Sequence, residues 1–253
     1  MKKFLVLNTK GGVGKSTITQ HVLCPFLFEK TRKKVLLCEI DELNFDCVNL
    51  RNTEVFESKC FRLSEMSPVS MEEVFFSKKS VVIDVGGNIS ASESLRFFKK
   101  AHVLDLINFV IIPVLSGLQD ALNAKQIMEE LKEIANAKVI LALNRAKDEN
   151  LQYQFPHVFS YDDILSVFES VPEHIVVPDD NVIEFAKSYG ITVWEIAQRD
   201  IQELLQKRKE ALKEGNREKA LRLTQRVYLV ERAREFQKKL EEWVYVKLEK
   251  LEG

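Results

Sequence analysis

Long apolar runs are missing from this sequence. Nothing in its 253 residues approaches the roughly 18 consecutive apolar positions that a membrane-spanning helix needs, so such a helix is excluded. The four cysteines, Cys24, Cys38, Cys47 and Cys60, show no C-x-x-C spacing, which suggests neither a zinc site nor an iron–sulfur cluster. Cys38 lies inside an apolar stretch and reads as a buried thiol. The expected compartment is a reducing cytoplasm. Internal repeats and low-complexity segments are absent. Net charge is nearly absent too, at −1, but the balance is uneven: ten basic and four acidic side chains fall between Lys207 and Arg234. That excess points to a separate C-terminal element with its own partner. Met1-Lys2-Lys3 ahead of a short apolar run imitates a secretory leader. Gly11, Gly12 and Lys15 interrupt it, and the run reads better as a buried first strand.

What is present describes a globular α/β chain, 45% hydrophobic and 30% charged. Short apolar, β-branched runs occur at Phe4–Leu7, Val35–Cys38, Val81–Ile83, Phe109–Pro113, Val139–Leu143 and Ile175–Val177. They are nearly continuous in apolar residues, as strands buried on both faces should be. Helical patterns separate them, notably over 15–30, 91–105, 117–135 and 181–189. The alternation predicts a doubly wound, mainly parallel sheet with helices on both faces, over residues 1–198. From 199 to 253 the strand pattern stops. Ile201, Leu204, Leu205 and Leu212 form one stripe, and Leu229, Ala233, Phe236, Leu240, Trp243, Leu248 and Leu251 form another, near-heptad seam. Gly215-Asn216 between them supplies a helix stop and an N-cap, so this part reads as a helical hairpin that packs on the domain or pairs with a partner.

The most informative segment is Lys10-Gly11-Gly12-Val13-Gly14-Lys15-Ser16-Thr17, between the first strand and a helix. Glycines without side chains let successive N–H groups converge on phosphate oxygens. The helix starting near Lys15 turns its positive end to the same anion. Lys15 reaches β- and γ-phosphate oxygens, and the Ser16 hydroxyl suits Mg²⁺. Lys10 is a second cation, which repels Lys15 unless more negative charge arrives than one lysine neutralises.

Carboxylates stand at the ends of two other strands. Glu39 and Asp41 are alternate residues and so face one side of an extended chain. Asp84 follows an apolar strand and precedes Gly86-Gly87, which suits a residue holding Mg²⁺ through water, with a glycine amide free to approach the γ-phosphate. Asn144 ends another strand and offers both a donor and an acceptor to the edge of adenine.

The octapeptide resembles the deviant Walker A box of the ParA/MinD superfamily, and the likeness extends over roughly residues 3–198. It implies bound ATP and Mg²⁺, Mg-dependent ATP hydrolysis, and an ATP-dependent homodimer in which Lys10 reaches the partner's nucleotide. By the same likeness Lys10, Lys15 and Asp41 are catalytic, Asp41 orienting water in a switch I-like segment. Gly11, Gly12, Val13, Gly14, Lys15, Ser16, Thr17 and Gly87 hold phosphate, while Asn144, Pro178 and Asp179 lie at the base. Ser16, Glu39 and Asp84 serve the metal. The sequence departs from the family pattern in three places: Glu39 replaces the usual Asp, Glu42-Leu43-Asn44 replaces Pro-Gln-Gly, and Gly86 replaces Pro. Missing paired cysteines and a missing terminal tyrosine cluster argue against the iron–sulfur carrier, nitrogenase-type and tyrosine-kinase branches.

The expected function is a ParA-type switch in plasmid partition or cargo positioning, with a partner protein stimulating hydrolysis. Lys219, Arg222 and Arg226 share one helical face and suit nonspecific contact with DNA phosphates. Three alternatives are a MinD-like membrane switch, a metabolic ATP-dependent synthetase, and a binding-only adaptor that keeps ATP but hydrolyses it poorly, for which the Glu39 and Gly86 departures leave room. The first would use the terminal apolar stripe as a membrane helix. That is disfavoured because acids at least match bases over 235–253. Lys10 counts against the second.

Overall fold

The computed structural model describes every residue except 43–44, 51–52, 88, 133–135, 148–149, 160–164 and 253, and every remaining side chain except those of 68, 89, 90 and 252. Seven strands form one sheet: β1 (Lys3–Val6), β2 (Val35–Ile40), β3 (Phe56–Phe61), β4 (Val81–Val85), β5 (Phe109–Val114), β6 (Lys138–Ala146) and β7 (His174–Pro178). Their order is β3-β2-β4-β1-β5-β6-β7, and every pairing is parallel. The expected doubly wound α/β fold is therefore present. Alternation along β1 shows how the core divides: Phe4 and Val6 enter the hydrophobic layer on one face, Leu5 and Leu7 the layer on the other.

One face is covered by a continuous helical run, α1 (Lys15–Ile18), a π-helical turn (Thr19–Leu23) and α2 (Cys24–Thr31), together with α7 (Val182–Tyr189) and α8 (Val193–Ala197). The π turn precedes Pro25, which has no N–H to continue the α ladder. The Cys24 amide instead bonds back five residues to the Thr19 carbonyl. The other face carries α3 (Pro68–Phe75), α4 (Ile89–Lys100) and α5 (Leu118–Lys132). A short α6 (Leu151–Gln154) follows β6.

Strand β3 and helix α3 fall in a region where apolar runs predict nothing. The β3 sequence is Phe-Glu-Ser-Lys-Cys-Phe, and most of its positions are at least partly open. It forms the sheet edge, where Glu57 and Lys59 guard unpaired backbone groups, so its polarity hides it from a search for buried strands.

Past residue 200 the chain is helical: α9 (Ile201–Lys213), α10 (Arg217–Leu240), a second π turn (Glu241–Tyr245) and α11 (Val246–Glu252). Gly215, at φ +71°, ends α9, and the Asn216 side chain accepts from the Lys219 amide to cap α10. The hairpin serves two purposes. Ala211, Ala220 and Leu223 bury one another, with Leu204, in a small satellite cluster. Leu229, Val230, Ala233, Phe236, Leu240, Val244, Tyr245 and Leu248 join the main core on the α1–α2 face. Tyr245 packs tilted against Phe26, ring centroids 5.1 Å apart, and donates its hydroxyl to the Val22 carbonyl at 3.3 Å. The apolar seam therefore packs within its own chain.

Candidate functional site

The loop after β1 is built by neighbours as much as by its own glycines. Asn8 is fully buried; its Nδ2 donates to the Pro113 carbonyl (2.7 Å) and its Oδ1 accepts from the Lys10 amide (2.8 Å). Gly12 and Gly14 take left-handed conformations at φ +74° and +95°, where a side chain would be strained. Val13 anchors the loop in the core, and its carbonyl accepts from Asn144 Nδ2 at 2.7 Å. A Cβ on Gly14 would stand 2.0 Å from that same nitrogen, so Gly14 and Asn144 require each other. On the other side the loop is open: among the described residues no atom comes within 4 Å of where a Cβ on Gly11 or Gly12 would point.

That open side faces a cleft of about 400 Å³, lined by Gly11, Gly12, Gly14, Lys15, Ser16 and Thr17. Glu39, Asp41, Asp46, Asp84, Gly86, Gly87, Arg145 and Lys187 complete its walls. Lys15 is buried, and its Nζ donates to two main-chain oxygens, Lys10 O at 3.1 Å and Asn8 O at 3.4 Å. Burial lowers its pKa, against the opposing pull of Asp84, Asp41 and Asp46. A buried ammonium beside open glycines suits a multiply charged anion.

Asp84 is buried behind the lysine. Burial first, and then the charge of Glu39, push its pKa up to about 7, while Thr19, Lys15 and Ser16 hold it down. Thr19, in the π turn, donates to its Oδ2 at 3.0 Å. A carboxylate held in this state, hydrogen-bonded to Ser16, is a fitting partner for a divalent cation. Residues able to hold a metal and a polyphosphate therefore meet in one cleft, as the resemblance implies for Mg²⁺ and ATP.

Asp41 lies directly over Gly86: a Cβ there would be 2.1 Å from its Oδ2. A side chain at position 86 would therefore compete with Asp41 for the same space. Gly87 packs on the loop, its Cβ direction ending 3.0 Å from the Gly11 nitrogen. Glu39 is buried, and its two oxygens accept from the Asp46 (2.7 Å) and Cys47 (2.9 Å) amides at the start of a 3₁₀ turn, Asp46–Leu50. Burial raises its pKa despite those bonds. Leu43 and Asn44 lie outside the described residues.

Lys10 is half exposed, and its Nζ is 3.0 Å from both oxygens of Asp120, in the first turn of α5. Asn144 lies beneath the loop, with its amide nitrogen on Val13. Pro178 ends β7 in the core, and Asp179 is exposed, its amide bonded to the Ala146 carbonyl at 2.9 Å. Neither lines the 400 Å³ cleft.

Asp46, Asp120, Arg145 and Lys187 belong to this neighbourhood without having been singled out. Arg145 sits at φ +58° where β6 bulges against β7, and it lines both this cleft and a second one of about 670 Å³ with Asn150 and Tyr153. Its left-handed backbone has no sequence signal. Asp120 carried the clearest one, an acid three residues after Gly117 in a helical first turn.

No protein-family model matches the sequence, and no curated protein matches it significantly. Among solved structures, the MinD cell division protein of Aquifex aeolicus superposes with a TM-score of 0.52 over 76% of this chain and 87% of that one. The chain has the fold of MinD. Sequence identity in that match is 16%. The same organism's MinC:MinD complex gives a TM-score of 0.50 and 18% identity, over 76% and 86% of the two chains. Each match covers about three quarters of the chain, 76%.

Proposed function

We propose that this protein is an ATP-driven dimerising switch of the ParA/MinD type, acting in plasmid partition or cargo positioning. The observation that carries this reading is the division of labour between two lysines on one loop. Lys15 is buried over the phosphate cradle, whereas Lys10 points away from it, half exposed and docked on Asp120. A lysine so placed is available to a second copy of the chain, as the octapeptide's resemblance to the deviant Walker A box implies.

In this reading the amides of Gly11–Gly14 and Lys15 hold the phosphates. Ser16 and Asp84 hold Mg²⁺. Bound Mg²⁺–ATP supplies the scissile γ-phosphoryl group. Asp41 orients water from its seat on Gly86, and Gly87 lines the same cleft. Lys10 exchanges Asp120 for the partner's nucleotide, adding positive charge where the transition state needs it.

For the surface that the dimer grips, nonspecific DNA is favoured over membrane. Phe236, Leu240 and Leu248, the stripe a membrane helix would use, are fully or nearly fully buried. Lys219 and Arg222 pair with Glu214 and Glu218 on exposed surface, contacts weak enough to yield to phosphates. The test is Mg²⁺-dependent ATPase rate and cosedimentation with and without nonspecific duplex DNA or anionic liposomes. Stimulation and ATP-dependent cosedimentation with DNA, lost in Lys10→Ala, are expected. A rate and partition indifferent to both would contradict the switch reading, and ATP-dependent liposome binding would replace DNA by membrane.

A further inference from the structure

Cys47 and Cys60 have no ligand-like spacing in sequence, yet the fold brings their sulfurs to 3.2 Å. The register of β2 and β3 sets Cys60 beside Glu39. Glu39 in turn holds the amides of Asp46 and Cys47, drawing the 3₁₀ turn down onto the two strands. One carboxylate oxygen and two sulfurs, from three separate segments, lie within 4.8 Å of one another. Cys47 is 1% exposed, and Cys60 is open to solvent, so the cluster has a closed wall and an entrance.

We propose that Glu39, Cys47 and Cys60 form a binding site for a soft divalent cation of the zinc class, with water as the fourth ligand. This goes beyond the nucleotide switch and does not depend on it. Sulfur ligands select zinc-like ions over Mg²⁺, and two sulfurs, one oxygen and a water make a tetrahedral set. Zinc–sulfur bonds of about 2.3 Å put two sulfurs about 3.8 Å apart, roughly half an ångström wider than they stand now. A disulfide would need them over 1 Å closer, at about 2.05 Å. On binding, both thiol protons leave to solvent, and the two thiolates with the carboxylate place three negative charges against the cation's two positive ones. Glu39 also lines the nucleotide cleft. A cation at this cluster would therefore pin the turn that carries Asp46, without using Ser16 or Asp84.

The experiment uses the full chain, reduced and freed of metal, titrated with Co²⁺ as a spectroscopic probe and with Zn²⁺ against a chromophoric chelator. One equivalent is expected, with a near-ultraviolet thiolate-to-cobalt band that Zn²⁺ abolishes and a large excess of Mg²⁺ does not. Cys60→Ser, at an exposed position, should keep the far-ultraviolet dichroism of the wild type and weaken Zn²⁺ binding on the order of 100-fold. Cys47→Ser should do the same, and Zn²⁺ should protect both thiols from oxidation by diamide. Absence of a thiolate–cobalt band in the folded protein would overturn the proposal. So would equal Zn²⁺ affinity in Cys60→Ser, or a Cys47–Cys60 disulfide forming as fast with Zn²⁺ as without it.

Discussion

Replacing Gly86 by alanine tests the placement of Asp41 at atomic scale. The added Cβ would stand 2.1 Å from Asp41 Oδ2 and 2.6 Å from its Cγ, so the carboxylate has to move by more than an ångström. Overpacking of this kind costs about 1–3 kcal/mol, and the stiffer unfolded chain of an alanine variant returns about 0.4–1 kcal/mol. A net loss of about 1–2 kcal/mol lowers Tm by roughly 2–8 °C in a chain of this size. The effect on hydrolysis should be larger, because about 1 Å of misplacement at a reacting centre costs on the order of 100-fold. Single-turnover hydrolysis of Mg²⁺–ATP, beside calorimetry and binding of a fluorescent nucleotide, separates the terms. Binding should persist while hydrolysis falls. Adding Asp41→Ala should restore the lost Tm without restoring hydrolysis, a coupling visible only if the two side chains compete for one space. Wild-type Tm and wild-type hydrolysis in Gly86→Ala would refute the reasoning.

Other positions give sharp expectations. His21 is fully buried, and burial followed by the charge of Lys187 lowers its pKa to about 3, while its Nδ1 accepts from the Val193 amide at 3.3 Å. Because the folded pKa lies below the unfolded value of about 6.5, the neutral ring's stability is intact above pH 6.5 and lost as pH falls toward 3; the loss by pH 5 is about 2 kcal/mol, and chemical denaturation of His21→Gln across that range should show a flatter acid limb. Asn144→Ala leaves the Val13 carbonyl without its donor and should cost about 1–3 kcal/mol, with weaker nucleotide binding by calorimetry. Phe236→Ala should cost about 3–5 kcal/mol in urea unfolding because the ring is 1% exposed in the main core. Replacing Lys219, Arg222 and Arg226 together by glutamine should make the slope of log affinity for DNA against log salt shallower by about 3.

How much of this was legible in sequence depends on what each residue does. The six strands marked by continuous apolar runs are all present, because burial on both faces leaves no room for polar positions. Strand β3 escaped, since an edge strand with Glu57 and Lys59 has no such run. Gly215 and Asn216 fixed the hairpin break to the residue, whereas the side of the hairpin that joins the core required the fold. Within the site, the loop glycines, Lys15, Ser16, Asp41 and Asp84 converge on one cleft, and short-range spacing was enough to mark them. Contacts across long sequence distances were invisible: Lys10 with Asp120, Asn144 with Val13, and Cys47 with Cys60. The left-handed Arg145 had no marker either, because a non-glycine residue in that conformation is imposed by its surroundings.

The central claim is that Lys10 leaves Asp120 to complete a partner's site. Sedimentation equilibrium with Mg²⁺ and a non-hydrolysable ATP analogue tests it, with nucleotide binding monitored in parallel. Wild type should pass from monomer to dimer on adding the analogue. Lys10→Ala should bind the analogue and stay monomeric, whereas Asp120→Asn, which frees Lys10, should dimerise at lower protein concentration. A Lys10→Ala protein that dimerises as readily as wild type would contradict the account.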